Sequence, residues 1–259
     1  MRTFYDNAMI TAEEFEAILN KNFSSCCSVP MQKGAGSFCR FVEYNGKGYA
    51  LLSKRGQSLV FNVIKSIAGI INGRGIPVPI LGGGFDDKPG DNYTIIMPKV
   101  EGISLPSYVY TKGKNIALVS ASQSLSQDAI STLAQECVLL NEKNINIDFH
   151  GGNFLIEDGS DVIRMLDLKT RGQKSGGELA KRFMRLFAYD KLQVFSNPAM
   201  VDEIRNTHGI NVSFITAQNI IKAYIALCKT GMPEDKVVGA LRQLYGEKTN
   251  IEDFENVVE

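Results

Sequence analysis

The chain has 259 residues, of which 44% are hydrophobic, enough for one large domain or two small lobes. Its 28 lysines and arginines balance 28 aspartates and glutamates, so the net charge gives no reason to expect a nucleic acid or an anionic membrane as the main partner. No stretch approaches a run of about eighteen uncharged apolar residues, so we expect no membrane span. The N-terminus also lacks the basic-then-apolar layout of a secretory signal peptide.

Cysteine and histidine usage narrows the chemistry further. The five cysteines are odd in number and fit no metal-binding spacing, so we interpret them as reduced thiols in a cytosolic working environment. Only two histidines exist, His150 and His208. They provide little material for a histidine-based triad or a zinc site.

The first hundred residues carry mainly strand signals behind one N-terminal helix. Thr11 and Glu14 have the spacing of a capping box and predict a helix with Phe15, Ile18 and Leu19 on one face. Asn45-Gly46 lies between two β-like runs and predicts a hairpin. The other elements predicted in this part are strands over 38–44, 48–54, 80–85 and 93–97 and a helix over 58–72.

The rest of the chain is mainly helical. Periodicity predicts helices over 128–142, 179–192, 216–229 and 233–245. Two short strands, 154–157 and 162–166, are predicted around an Asp158-Gly159 turn. Because a β-rich part and an α-rich part meet near residue 100, we predict an α+β fold with two lobes, 1–99 and 100–259.

Three polar residues form the most informative pattern of the chain. Asp148 and Asn153 are spaced as Asp-x₄-Asn, and Asp167 closes the apolar run 162–166. In phosphoryl transfer, one carboxylate orients the acceptor hydroxyl, while an amide oxygen and a second carboxylate hold Mg²⁺ against ATP phosphates. The predicted hairpin between Asn153 and Asp167 would bring all three groups to one cleft. The pattern therefore predicts catalytic Asp148 and metal ligands Asn153 and Asp167.

Together these motifs resemble the protein-kinase-like superfamily, in order over roughly residues 30–190. The resemblance implies a bilobal fold with a small β-rich N-lobe and a helical C-lobe, and ATP and Mg²⁺ as cofactors. Gly34, Gly36, Ser37 and Phe38 resemble the glycine-rich loop, in which glycines let backbone N–H groups approach phosphates. The third glycine of the family pattern is replaced here by Cys39.

Lys54 resembles the strand lysine that clamps the α- and β-phosphates in this family. The family pairs that lysine with a glutamate on the next helix, but the helix predicted over 58–72 contains no acidic residue. A neutral partner such as Gln57 or Asn62 is one alternative. The other is an acid from the N-terminal helix, namely Glu13, Glu14 or Glu16.

The segment joining the lobes also has counterparts. Met97 resembles the gatekeeper residue, and Pro98 and Val100 fall where the family contacts adenine through the backbone. At the position of Pro98 the family contacts adenine only through the backbone carbonyl, so the missing N–H of proline removes no contact. Val100 keeps its N–H at the position where one is needed.

The catalytic loop departs from the protein-kinase pattern in ways that bear on regulation. Ile147 replaces the arginine that would receive a phosphorylated activation loop, and the segment 168–178 is short. We therefore predict activity without phosphorylation of that segment. The basic stretch Lys181-Arg182 and Arg185 is interpreted as a solvated helix face.

With its short segment after Asp167, the chain is similar to the minimal kinases that bacterial pathogens inject into host cells through type III secretion. One such family phosphorylates the ninety-kilodalton heat-shock chaperone, and another binds ubiquitin-charged conjugating enzymes. The resemblance implies a protein serine/threonine kinase, secreted by a bacterium into the host cell, with a host chaperone among its partners.

Two alternatives stay open. His150 in Asp-x-His-x-Gly-Asn is common in small-molecule kinases of the aminoglycoside or choline type, whose acceptor sites are lined by acids. Here the candidates for such acids are Glu203, Glu234 and Asp235. The other alternative is a pseudokinase that acts as a binding module, favoured by the missing helix acid.

Overall fold

The structure of the protein is a computed structural model. It describes residues 2–21, 33–34, 37–55, 58–85, 92–105, 125–168 and 170–258. The chain packs into two compact units, Met1–Glu101 with Leu168–Arg171 and Gly102–Asp167 with Gly172–Glu259. None of the helices in these ranges is long and apolar enough to cross a membrane. Cys39, Cys137 and Cys228, the cysteines that lie in these ranges, are free thiols.

The first unit is built on an antiparallel sheet of six strands. In chain order these are β1 to β6: Arg2–Tyr5, Lys33–Gly34, Ser37–Tyr44, Lys47–Arg55, Gly82–Phe85 and Asn92–Pro98. Their order across the sheet is β1-β5-β6-β4-β3-β2. The strand β1, which sequence patterns did not predict, pairs along its whole length with β5.

The hairpin between β3 and β4 is confirmed. Asn45 and Gly46 both have positive φ, 50° and 72°, as a two-residue turn with the right twist requires. The two strands pair from Tyr44 opposite Lys47 to Ser37 opposite Lys54. This long register carries Lys54 to the end of the sheet where the glycine motif lies.

The N-terminal helix is Ala12–Leu19, and its predicted capping box is present. The Glu14 N–H donates to Thr11 Oγ1 at 3.1 Å, and the Thr11 N–H donates to Glu14 Oε2 at 3.5 Å. Phe15 on the buried face packs so closely on the sheet that a Cβ at Gly82 would lie 2.5 Å from its ring. Only glycine therefore fits at position 82 without a shift.

The second helix of this unit, Ser58–Ile71, matches the helix predicted over 58–72. Asn72 closes its end, because its Nδ2 donates to Asp6 Oδ2 at 2.9 Å and its Oδ1 accepts from the Ile80 N–H at 2.9 Å. One side chain thus ties this helix to the start of the chain and to the segment that leads into β5.

The second unit is mainly helical. Its helices are Gln127–Glu142, Gly176–Arg185, Pro198–His208, Val212–Lys229, Glu234–Tyr245 and Glu252–Val258, with short 3₁₀ turns at Gly151–Asn153, Tyr189–Lys191 and Gln193–Ser196. A small antiparallel sheet joins Gly102–Ser104, Phe154–Glu157 and Ile163–Met165. The two-residue strand Ile145–Asn146 completes the described elements of this unit, and the short strand Thr170–Arg171 belongs to the first unit.

The prediction of one helix over 179–192 is wrong at both ends. The helix begins at Gly176, because Ser175 caps it by accepting from the Glu178 N–H at 3.4 Å. It ends at Arg185, and Ala188 then leaves helical geometry with φ −82° and ψ 67°. The apolar pattern continues through Phe187, which is fully buried, so periodicity alone overran the turn.

Candidate active site

The loop that carries Asp148 is placed by the end of the long helix Gln127–Glu142. This helix is fixed in the core by fully buried residues such as Leu133 and Leu140. After it, Asn144 adopts left-handed φ of 57°, a conformation that asparagine tolerates better than most residues. The buried Ile147 then anchors the loop, and the following residue, Asp148, is exposed.

Asp148 and Asn153 are held together directly. Asn153 Nδ2 donates to Asp148 Oδ2 at 3.0 Å and to the Asp148 backbone oxygen at 3.3 Å. The backbone of the loop supports this contact, since the His150 N–H donates to Asp148 O and the Asn153 N–H donates to His150 O, both at 2.8 Å. The carboxylate of Asp148 is therefore oriented by a short turn that is held by hydrogen bonds between its own residues.

A hairpin brings Asp167 next to this turn. Phe154–Glu157 pairs with Ile163–Met165, with Phe154 opposite Met165. The Leu166 N–H continues the ladder by donating to Asn153 O at 2.8 Å. Asn153 and Asp167 therefore lie on neighbouring segments of the polypeptide, at the same end of the hairpin. Asp167 is partly buried, and its Oδ1 is shielded from solvent.

These groups fit a hard divalent cation. Because Asn153 Nδ2 faces Asp148, the amide oxygen Oδ1 is the atom left to coordinate a metal, beside the carboxylate of Asp167. Mg²⁺ typically takes one or two carboxylates and completes its shell with waters and substrate phosphates. Within the described ranges, no group of three or more His, Cys, Asp or Glu side chains is arranged to hold a metal.

The described part of the glycine motif lies on two paired strands at one edge of the sheet in the first unit. Gly34 pairs with Ser37, and Lys33 pairs with Phe38. Gly36 and the side chains of Ser37, Phe38 and Lys54 lie outside what the structure describes. The backbone of Lys54 is described, and it pairs with Ser37 on one side and with Tyr93 on the other.

The predicted adenine-contacting segment follows β6. Met97 is buried and pairs with Ala50, and Pro98 pairs with Tyr49 as the last residue of the strand. The Lys99 N–H then donates to Gly48 O at 3.0 Å, and Val100 follows half-buried. The roles of Met97, Pro98 and Val100 toward adenine stay predictions.

Two of the acids considered as partners for Lys54 have other contacts. Glu14 Oε1 accepts from the Tyr49 hydroxyl at 3.4 Å and lies 3.9 Å from Lys47 Nζ. Glu16 Oε2 accepts from Asn20 Nδ2 at 3.1 Å. Gln57, one of the neutral candidates, lies outside the described residues.

Lys174 is a residue of this site that sequence patterns did not single out. Its Nζ donates to Asn146 Oδ1 and to Ile147 O, the latter at 3.3 Å, and lies 6.0 Å from the centre of the Phe149 ring. Burial lowers the pKa of Lys174 below its ordinary value, and Arg182 acts in the same direction, while Glu178 and Asp148 oppose the shift. A cation thus braces the loop that presents Asp148.

The backbone at Lys174 is held as firmly as its side chain. Asn141 is buried near the end of the long helix, and its amide donates to Lys174 O at 3.0 Å and accepts from the Lys174 N–H at 2.8 Å. The Gly172 N–H donates to Asn144 O at 2.8 Å. We call these contacts of Asn141 and Lys174 the loop brace. It ties Lys174 to the end of the long helix through contacts made by the polypeptide itself.

The loop brace supports the expectation that phosphorylation of this segment is not required. Thr170 and Ser175 are the hydroxyl residues of 168–178. We expect Thr170→Ala combined with Ser175→Asn to keep the transfer rate within about threefold of wild type, because asparagine can still cap the helix that begins at Gly176. Initial rates with labelled ATP check this. A loss of several orders of magnitude that acidic residues at either site restore would reveal a phosphorylation switch.

Comparisons with known proteins bear on the fold. No protein-family profile and no curated protein sequence matches the chain. Among solved structures, the kinase domain of maize SIRK1 (sucrose-induced receptor kinase 1) bound to AMP-PNP is similar over 100% of both chains, with a TM-score of 0.53 and 14% identity. A structure of WaaP in complex with acyl carrier protein covers 86% of this chain and 100% of that chain, with a TM-score of 0.44 and 14% identity.

Proposed function

We propose that this chain, which has the α+β protein-kinase-like fold with a β-rich N-terminal part and a helical C-terminal part, is an ATP- and Mg²⁺-dependent phosphotransferase. The fold class predicted from the sequence is confirmed. The observation that supports this function best is the hydrogen bond between Asn153 and Asp148. Asp167 lies on the neighbouring segment of the same hairpin. Fold likeness alone does not identify an activity, so the proposal depends on these side chains.

Each of the three side chains has a separate task in the proposed reaction. The acceptor hydroxyl oxygen forms a bond to the γ-phosphorus, the bond from that phosphorus to the β–γ bridging oxygen breaks, and ADP leaves. Asp148 orients the hydroxyl and takes its proton. Asn153 and Asp167 would hold Mg²⁺, which when bound would neutralise charge on the ATP phosphates. Catalysis then comes from positioning and electrostatics, without a covalent enzyme intermediate.

The acceptor we propose is a serine or threonine hydroxyl of a protein. The support is the trimmed catalytic segment, which resembles that of minimal kinases injected by bacterial pathogens. On this proposal the protein is secreted by a bacterium and acts in the host cytosol, and a host chaperone is one substrate to test.

The experiment is incubation of the protein with γ-labelled ATP, Mg²⁺ and a eukaryotic lysate. We expect a labelled protein band that is absent without the enzyme. A labelled small molecule without any protein band would favour the small-molecule kinase instead. Binding of AMP-PNP with no transfer to any acceptor, including the enzyme itself, would favour a binding module.

Lys54 provides a test of ATP handling in the first unit. We expect Lys54→Ala to lower the transfer rate by about 100-fold, because the phosphates lose a fixed counter-charge. Lys47→Ala is the matched control, since Lys47 lies on the same strand β4 with a side chain that is 70% exposed. Steady-state rates at varied ATP concentration measure both variants. If Lys54→Ala turns over ATP like wild type, another cation such as Arg55 or Lys169 holds the phosphates.

A further inference from the structure

A pocket of about 380 Å³ opens beside Asp148, entirely within the second unit. One wall is the catalytic loop from Asp148 to Gly151. The opposite wall comes from the helix Gly176–Arg185 and from the residues after it up to Leu192. A substrate in this pocket would therefore lie directly against the group proposed to orient the acceptor hydroxyl. We call it the acceptor pocket.

The acceptor pocket is positively charged. Four cationic side chains line it against two carboxylates, those of Asp148 and Glu178; the cations are Lys181, Arg182, Arg185 and Lys191. Glu178 is already paired, because Arg182 Nε lies 2.5 Å from its Oε1. These cations are exposed or half-buried, as expected of a solvated helix face, and they also line the same pocket as Asp148.

Lys181 and Arg185 remain available to a ligand, whereas Lys191 is held by its neighbours. In the described part of the chain, Arg185 has no ion-pair partner, and Lys181 acts on Glu178 only through its field. Lys181 and Arg185 are one helical turn apart, so they lie on one face of the helix with about 6 Å between their Cβ atoms. Lys191 is already ion-paired, because its Nζ lies 3.9 Å from Asp190 Oδ2. The same Nζ lies 4.4 Å from the centre of the Tyr245 ring, and the Tyr245 hydroxyl donates to Asp190 Oδ1 at 2.8 Å.

We propose that the acceptor pocket selects a protein segment with acidic residues next to the hydroxyl that is phosphorylated. This inference rests on the proposed function and names the substrate class for the same site. The positive lining attracts carboxylates and repels a cationic acceptor. Placing like charges together costs binding free energy, so this repulsion discriminates against cationic substrates. The acids expected of an aminoglycoside-type site do not line the pocket, and Glu234 instead accepts from the Tyr224 hydroxyl at 2.7 Å.

The exposure of the cations favours a segment over a single small anion. Sites for small molecules bury most of the ligand and converge a few buried polar groups on it. Here the side chains of Arg182 and Lys191 are 48% and 45% exposed, and Arg185 is also exposed. Cations spread along a helix and the turn after it suit several carboxylates on one chain.

Peptide binding tests the inference separately from ATP turnover. Fluorescence anisotropy would compare three serine peptides of equal length, in which the flanking positions are acidic, their neutral amides or lysine. We expect the acidic peptide to bind wild type at least about tenfold more tightly than the neutral one, with a difference that shrinks as salt rises. Lys181→Glu with Arg185→Glu should abolish this preference and favour the lysine peptide.

The matched control is Lys236→Glu with Lys248→Glu, two exposed lysines that do not line the pocket. It should bind the acidic peptide like wild type, and thermal melts of both double variants should match wild type. The neutral pair Lys181→Gln with Arg185→Gln should fall between wild type and the reversed pair. Equal binding of all three peptides by wild type, or an unchanged preference after charge reversal, would overturn the proposal. Tight binding of the acidic peptide without any ATP turnover would count against the proposed kinase activity but would support the proposed preference of the pocket for acidic segments.

Discussion

Replacing Asp167 with alanine is expected to abolish Mg²⁺-dependent transfer, by about 10³-fold or more, while the protein stays folded. The metal would lose its carboxylate and keep only the amide oxygen of Asn153. The fold should survive because the hairpin is held by its own ladder and by its buried residues Ile163 and Met165. Transfer rates over a Mg²⁺ titration measure the effect, and a thermal melt checks the fold.

Asp161→Ala is the matched control for that experiment. Asp161 is an exposed acid in the turn of the same hairpin, so its removal changes the net charge equally without touching the proposed metal site. We expect this variant to keep wild-type rates and the wild-type Mg²⁺ requirement. A folded Asp167→Ala enzyme with full activity would refute the assignment of Asp167 as a metal ligand.

The second large effect is expected from Asp148→Asn. Asparagine keeps the size of the side chain and can still accept from Asn153 Nδ2 through its oxygen, so the turn should keep its geometry. It cannot take the proton of the acceptor hydroxyl, and we expect kcat to fall by about 10²- to 10⁴-fold. Affinity for Mg²⁺ and AMP-PNP should change little, because Asn153 and Asp167 remain.

Steady-state kinetics and a nucleotide-binding titration separate these two effects. Asp158→Asn, an isosteric change at an exposed turn position, serves as the control. If Asp148→Asn kept the wild-type kcat, another group would be taking the proton, and the position of Asp148 in the acceptor pocket would concern binding alone. Loss of nucleotide affinity together with rate would instead indicate that the variant has disturbed the turn.

Much of the fold could be predicted because its signals are local. The capping box at Thr11 and Glu14 joins residues three apart, and the Asn45-Gly46 turn demands positive φ from adjacent residues. Such signals carry their own geometry, whatever the rest of the chain does. The strand Arg2–Tyr5 has no comparable signal, since its pairing with Gly82–Phe85 is a long-range contact.

The same distinction holds within the candidate site. Asp148, Asn153 and Asp167 follow from spacing and a short hairpin, so sequence could place them near one another. Lys174 could not be found in this way, because its importance depends on Asn141, which lies on another element and is recognised only once both are folded. The charge of the acceptor pocket was hidden for a related reason. A basic helix face has the same pattern whether it meets water or a catalytic loop.

Because the loop brace consists of contacts within the polypeptide, we expect the active geometry to form on folding alone. In a kinase that waits for a phosphate, a second enzyme determines when the active geometry appears, and a phosphatase can remove it. Here the side chains of Asn141 and Lys174 are part of the polypeptide, so a newly folded molecule would already have its catalytic loop in place. For the proposed activity we therefore expect that a phosphatase would not silence the protein. Its lifetime of action would be the lifetime of the folded chain.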